Sequence, residues 1–303
     1  MELRKYTMAT LKNIAVVIPT IRMKESMPSF MEKWQPLFDK HNVELIVIDD
    51  TEDTPKVIHN GYTVEDTTMW ATGLISNKCA GVRQLGFLYI AKCLPDIEYI
   101  ITLDDDEFPI GDPIQDHIDQ LNRKVPISWI STGVDEYFRG FPYKVRTEAP
   151  VMLSHGVWEG SYDWDAPSQL LKGDTEVKFY KGVIPKGIYA PLCGMNFAFR
   201  RESLPYIYFA PVGEFKGAER WDDIYMGIMV IKKFAELNWA ITTGYAKVLH
   251  MRASNPFTSL AKEAVGILHG EEFYKDPENY KGDPWFDEFR LKTKQWYDLT
   301  KND

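Results

Sequence analysis

Residues 99–109 read YIITLDDDEFP, an apolar run rich in β-branched and aromatic side chains that passes directly into four consecutive acids. A short run of this kind reads as a strand buried on both faces. Three adjacent carboxylates repel one another, so at least one pKa must rise unless a cation sits among them. A Mg²⁺ or Mn²⁺ ion removes the conflict, and one or two carboxylates suffice to hold such an ion while it clamps a diphosphate. The plain alternative is a solvated acidic turn leading into DPIQDHIDQL.

Two earlier stretches repeat the pattern. IAVVIP at 14–19 and VELIVIDD at 43–50 are again short and β-branched, and the second again ends in acids. Between them Phe30, Trp34, Leu37 and Phe38 fall at helical spacing. Before the third run, Val82, Leu85, Gly86, Tyr89, Ile90 and Cys93 mark one helix face, with Asn77 as N-cap and Pro95 as stop. This alternation predicts an α/β fold with a mostly parallel central sheet flanked by helices. Open parallel sheets bind ligands beyond the carboxyl ends of their strands, so Asp49, Asp50, Asp104, Asp105 and Asp106 are expected on one edge. That convergence favours metal and nucleotide over the acidic turn.

Residues 132–194, rich in glycine, proline and aromatics without clean periodicity, read as long functional loops and short antiparallel strands. In WDDIYMGIMVIKKFAEL, Asp222 or Asp223 caps a helix whose buried face carries Ile224, Ile228, Ile231 and Phe234. The reading divides the chain into a catalytic domain over 1–255 and a helical C-terminal extension over 256–303 packed on it.

Composition limits the function. With 303 residues, 45% of them hydrophobic, the chain can bury a substantial core. A net charge of −9 argues against general binding of a phosphate backbone. Three widely spaced cysteines, with no CxxC, indicate neither a disulfide framework nor a structural zinc site, and a reducing cytoplasm fits them. No run is long and apolar enough for a membrane span. Neither a Walker A loop nor a GxGxxG is present, so phosphate must be held another way.

Several side chains could complete such a site. His250, which closes AKVLH, is either a late metal ligand or an ordinary histidine. Lys78 and Arg83 either meet diphosphate oxygens at the start of their helix or lie on a solvated face. Arg139 and Arg146, in FRGFPYKVR, either clamp phosphate or pair with surface acids. One of Asp222 and Asp223 can cap a helix while the other faces a sugar as base or hydroxyl ligand.

The blocks VVIPTIR, YIITLDDDEF, FRGFPYKVR, SHGVWEGSYDWDAPSQLLK, IPKGIYAPLCGMNFAFRRE, ERWDDIYMG and ASNPF together resemble the reversibly glycosylated polypeptide family, the UDP-arabinopyranose mutases. The resemblance implies a GT-A-type fold and a metal-dependent enzyme that interconverts UDP-pyranose and UDP-furanose sugars. It implies that Asp104 and Asp106, with His250, hold Mn²⁺ or Mg²⁺. Nucleotide-sugar contacts are implied for Pro19, Thr20, Arg22, Asp49, Asp50, Lys78, Arg83, Asp104 and Asp105. Catalytic roles fall on Arg139, the residue glycosylated in the family, and on Arg146, Asp222 and Asp223. Glu107 stands where plant members carry cysteine. The expected partners are a UDP-sugar, UDP-arabinose first, and further copies of the chain. A transferase alternative adds a glycan, protein or modified nucleic-acid base as acceptor, with Trp158, Tyr162 and Trp164 to stack on it. A non-catalytic partner subunit is the third reading.

Overall fold

The computed structural model describes residues 13–64, 73–129, 139–172, 176–251 and 255–301. Its strands are β1 Ile14–Thr20, β2 Glu44–Asp49, β3 Lys56–His59, β4 Tyr62–Thr63, β5 Tyr99–Leu103, β6 Glu107–Pro109, β7 Lys124–Val125, β8 Ala149–Gly160, β9 Gly182–Ile184, β10 Asn196–Arg200 and β11 Ala240–His250. The α-helices are α1 Met27–His41, α2 Gln84–Cys93, α3 Pro113–Leu121, α4 Ala166–Lys172, α5 Asp222–Leu237, α6 Pro256–Lys275 and α7 Trp285–Thr300.

The three runs that opened the reading are β1, β2 and β5, which pair in parallel with β1 at the centre. The sheet continues in the order β4-β3-β2-β1-β5-β10-β8-β11-β6, with β7 on β8 and β9 on β11. Helices flank it as expected, but the mostly parallel character stops at the N-terminal half. Beyond β5, β10 runs antiparallel to both its neighbours, and β8 with β11 is the one further parallel pair among the described strands. Parallel neighbours require a crossover connection. Helices α1 and α2 supply it early in the chain, whereas β10 reverses direction between β5 and β8.

The expectation of loops and short strands over 132–194 is corrected by β8, which has 12 residues. Its centre, Ser154-His155-Gly156, breaks the apolar pattern of a buried strand and hid it. These polar groups are satisfied internally. His117 on α3 lies 2.9 Å from both Ser154 Oγ and Asn196 Oδ1, while His155 meets Thr243 Oγ1 at 3.0 Å and accepts from the Cys193 N–H at 3.1 Å. Asn196 crosses directly over Gly156, where a Cβ would stand 2.2 Å from the amide nitrogen.

Smaller corrections concern helix ends. Asn77 does not cap α2; its side chain donates to the Asp53 carbonyl at 2.8 Å, and a 3-10 turn, Ala80–Arg83, leads into the helix. Cys93 is exposed. Neither Asp222 nor Asp223 is the cap of α5. Trp221 holds that position, and the helix buries Tyr225, Met226 and Val230 beside Ile228 and Phe234, with Ile224 and Ile231 only partly covered. The segment after Asn255 shares the main core. Phe273 from α6 and Phe286, Phe289 and Trp296 from α7 pack in one cluster with Phe209 and Tyr225, and Trp296 donates to the Leu204 carbonyl at 3.1 Å. No described helix is long and apolar enough to cross a membrane.

Burial holds His117 and His155 neutral, lowering both to about 4. The unfolded chain binds these protons below about pH 6.5 and the folded chain does not, so this contribution is present at neutral pH and is lost as pH falls towards 4. At pH 7, His117→Leu is expected to cost about 2–4 kcal/mol, because Ser154 and Asn196 lose their partner. In urea titrations across pH, the wild-type advantage over this variant should shrink by up to about 3 kcal/mol between pH 6.5 and 4. A pH-independent difference would refute the neutral histidine.

Candidate functional site

The ends of β1, β2 and β5 enclose a cleft of about 450 Å³. Pro19, Thr20, Arg22, Asp50, Lys78, Arg83, Asp104, Asp105, Asp106 and His250 all line it. These expected residues thus share one edge, but the structure gives them different tasks.

Asp105 is a fastener. Its carboxylate is 6% exposed, accepts from Thr20 Oγ1 at 2.6 Å and pairs with Arg22, which also reaches Asp106 at 3.1 Å. Arg83, expected at the start of a helix facing phosphate, is fully buried. It donates to the Ala80 and Gly194 carbonyls, to Thr102 Oγ1 and, at 2.6 Å, to Asp104. Lys78 has a left-handed backbone (φ 55°), donates its N–H to Asp50 Oδ2 at 2.5 Å and spends its ammonium on the Asp50 and Glu52 carbonyls. Asp49 lies outside the cleft wall and accepts from Thr51.

Three acceptors remain for a ligand. Asp50 Oδ1 is buried without a hydrogen-bond partner. Burial raises the Asp50 pKa against the pull of Lys78. His250 donates Nδ1–H to the Ser161 carbonyl at 2.7 Å, which leaves the Nε2 lone pair 3.9 Å from Asp106 Oδ1. Burial, then Asp104, raises the Asp106 pKa. Two electron-pair donors facing each other across such a gap suit a cation, and the oxygen-plus-imidazole set suits Mn²⁺ better than Mg²⁺, which prefers oxygen ligands alone. Among the described residues no three His, Cys, Asp or Glu side chains are already gathered at ligand spacing. Asp104 faces Arg83 instead. The Asp104, Asp106 and His250 set fits a divalent ion, but it is not closed around one.

The balance of charge points the same way. The lining carries five aspartates against three arginines and one lysine, so a diphosphate would enter a cleft that is already negative. His250 is fixed to this site by the ladder: β6 and β11 place it opposite Glu107, and Met251 N–H donates to the Asp106 carbonyl at 3.1 Å. Glu107 itself is fully buried. It accepts from Asp104 N–H at 3.0 Å, and burial raises its pKa well above normal.

A second chamber of about 870 Å³ adjoins the cleft and shares Ala80, Asp104, Asp163, Met195 and Arg220 with it. Asp222 and Asp223 line this chamber, at the head of α5. Burial raises Asp222 to about 6 and, with Asp222 and Asp163 adding repulsion, Asp223 to about 8. The two behave as a pair that holds one proton near neutrality. Asp223 Oδ2 accepts from Gly194 N–H at 2.9 Å, while Asp222 Oδ2 is buried with no partner. Trp164 also lines the chamber, stacked on Tyr162, whereas Trp158 is buried.

Arg139 and Arg146 are not among the lining residues of either space. Arg139 is exposed in a turn, and Arg146 donates to the Phe141 carbonyl at 3.0 Å with its guanidinium 3.9 Å over the Tyr143 ring. Arg220 stands at the junction instead, and sequence reasoning passed over it. Its Nε donates to Glu263 on α6 at 2.8 Å, and a terminal nitrogen lies 3.8 Å from Asp163. Glu263, 4% exposed, also caps α4 through Ala166 N–H at 2.7 Å. Gly266 and Gly270 seat the Trp221 indole, each leaving too little room for a Cβ, which would stand 2.2 and 2.4 Å from the ring. A glutamate and two glycines on one predicted helix, spaced three and four residues apart at 263, 266 and 270, were the available signals.

A sequence model of the family described as "Reversibly glycosylated polypeptide" matches residues 10–279. UDP-arabinopyranose mutase 3 of Arabidopsis thaliana is 34% identical over 284 residues, covering 85% of this chain and 75% of the relative. Probable UDP-arabinopyranose mutase 1 of Pisum sativum is 32% identical over 281 residues, with the same coverage. Among solved structures, the catalytic domain of Drosophila beta1,4galactosyltransferase 7 aligns with 90% of this chain and 82% of its own at 10% identity; its TM-score of 0.40 is too low to carry an argument. The matched span includes α6 and stops before α7.

Two outcomes test the chamber. Gly270→Ala should displace Trp221, cost about 1–3 kcal/mol and shift the intrinsic fluorescence; an unchanged spectrum and stability would refute the seat. Asp223→Asn removes a carboxyl whose folded pKa is raised. The wild type therefore loses stability relative to this variant as pH rises from about 4 to 8, and the variant should gain at least about 1 kcal/mol at pH 8. Denaturant titrations of ligand-free protein at pH 5 and 8 measure the difference.

Proposed function

The chain belongs to the reversibly glycosylated polypeptide family, and on that premise we propose a metal-dependent UDP-sugar enzyme that interconverts the pyranose and furanose forms, with UDP-arabinose as the favoured substrate. The observation that carries the reading is the cleft itself: a negative pocket at the ends of β1, β2 and β5 with Asp50 Oδ1, Asp106 and the His250 Nε2 lone pair directed at ligands.

Each group has a task in this reading. Asp50 Oδ1 accepts from an N–H or O–H of the nucleoside. Asp104, Asp106 and His250 hold Mn²⁺ or Mg²⁺, which when bound offsets charge on the departing diphosphate. Arg220, at the junction, meets the phosphate nearest the sugar. The Asp222–Asp223 pair faces the sugar, where it accepts hydroxyl hydrogen bonds and stabilises positive charge developing at the anomeric carbon. Opening of the bond to UDP, ring change and recapture then need no external acceptor. The three free thiols fit a reducing cytoplasm. Transfer to an acceptor is the second reading, favoured by the size of the adjoining chamber.

Purified protein with Mn²⁺ and a panel of UDP-sugars should convert UDP-arabinopyranose to the furanose without net release of UDP, followed by chromatography. In calorimetry, Asp106→Ala should weaken UDP at least about tenfold with Mn²⁺ present; wild-type affinity that ignores a chelator refutes the metal. Arg139→Ala separates two roles. Lost turnover with retained UDP affinity assigns Arg139 to the sugar, and intact turnover removes it from the reaction.

A further inference from the structure

We propose that the chamber beside the nucleotide cleft binds a second saccharide, one without anionic groups, so that a sugar on the nucleotide faces an acceptor. This rests on the UDP-sugar reading of the cleft and extends its second form, transfer to an acceptor, rather than the ring interconversion.

Volume is the first argument. The chamber holds about 870 Å³ and the cleft about 450 Å³. The smaller space must take most of a nucleoside diphosphate, while a single sugar ring, smaller than that nucleotide, would leave much of the larger space unfilled. Pockets of this size bury ligands well beyond one ring.

The lining supplies the chemistry. Eight carboxyl side chains face the chamber, and Arg220 is the one cationic side chain among the described lining residues. The ionised carboxylates accept hydrogen bonds and cannot donate, and only the one proton shared by Asp222 and Asp223 adds a donor, so the lining matches a ligand rich in hydroxyl or amine donors. They repel uronates, phosphates and nucleic acid. Trp164, Tyr189, Trp221 and Tyr274 add aromatic surface of the kind that covers the apolar faces of sugar rings. Asp222 gives an independent sign of a missing ligand. It is 3% exposed, lines the chamber and has an Oδ2 with no hydrogen-bond partner.

The position sets the reaction. Cleft and chamber meet at Asp104, Asp163 and Arg220, and Asp104 belongs to the metal set, so a sugar carried on the nucleotide can face the chamber across this junction. An acceptor hydroxyl oxygen bonds to the anomeric carbon as the bond from that carbon to the diphosphate oxygen breaks. UDP leaves with the electron pair, and the hydroxyl proton passes to the ionised member of the Asp222–Asp223 pair.

The test uses wild-type protein with Mn²⁺ and UDP, and saturation-transfer NMR with four probes: xylobiose, a glucosamine dimer, digalacturonate and a tetra-arginine peptide. Xylobiose and the glucosamine dimer should bind, and digalacturonate should bind at least about tenfold more weakly. Tyr274→Ala and Glu271→Gln, on the exposed rim of α6, should weaken the bound disaccharides at least about fivefold while UDP affinity stays within about twofold. Digalacturonate binding as well as xylobiose overturns the proposal. So does the peptide binding while both disaccharides fail, which would assign the chamber to a cationic protein segment. If no probe binds while UDP does, the second saccharide is refuted and the nucleotide reading stands; if UDP itself fails to bind, the underlying reading falls with it.

Discussion

The buried guanidinium of Arg83 ties the turn before α2 to the paired strands β5 and β10 and to the acidic turn that follows β5. Its donors reach the turn before α2, Thr102 within β5, the Gly194 carbonyl ahead of β10 and the carboxylate of Asp104. A charge in this position is tolerated because nearly every N–H finds an acceptor, and because Asp104 stands 2.6 Å away. The nearby Asp222 and Asp223 add to the same field. Removing this cation would leave a cluster of carboxyl groups with little to offset it, at the place where parallel and antiparallel halves of the sheet join. The site and the fold thus depend on one ion pair, and the first acid of the DDD is as much a structural counter-charge as a ligand.

Much of the N-terminal half was legible because its signals are local. Buried strands such as IAVVIP and YIITL declare themselves by composition, and the rule that ligands gather at the carboxyl ends of parallel strands places Asp50, Asp104, Asp105 and Asp106 at one cleft, with Asp49 falling outside it; Arg22 is reached only through the family resemblance. What the sequence could not show was how donors are shared. Lys78 and Arg83 look like free cations on paper, yet three-dimensional neighbours occupy them. Strand β8 was hidden for the opposite reason: Ser154 and His155 look like surface residues until His117, Asn196 and Thr243, far along the chain, supply their hydrogen bonds. Arg220 escaped notice because the significance of a single arginine depends on Glu263, 43 positions away.

Helix α6 changes the meaning of the C-terminal segment. On sequence grounds it is set apart as an extension, whereas Phe273 shares the main core with Phe209 and Tyr225. The helix also contributes Glu263, which orients Arg220, and the glycine face against which Trp221 rests. The acids that follow Trp221 are therefore held from two sides, by the Gly194 N–H ahead of β10 and, through Trp221, by a helix outside the sheet.

Strands β6 and β11 form a measuring device. Because the two strands pair with His250 opposite Glu107, the distance from the imidazole to the acidic turn is set by counting residues along a ladder rather than by side-chain packing. Alternation along β11 leaves Lys247 and Leu249 exposed between buried neighbours, so substitutions there change little in the count. A residue inserted or deleted within the regular ladder from Val248 to His250 is a different matter, since it would deliver Leu249 or Met251 to the place of the histidine. Length in this strand is accordingly under tighter constraint than identity, and divergence along it is expected to proceed by replacement rather than by gaps.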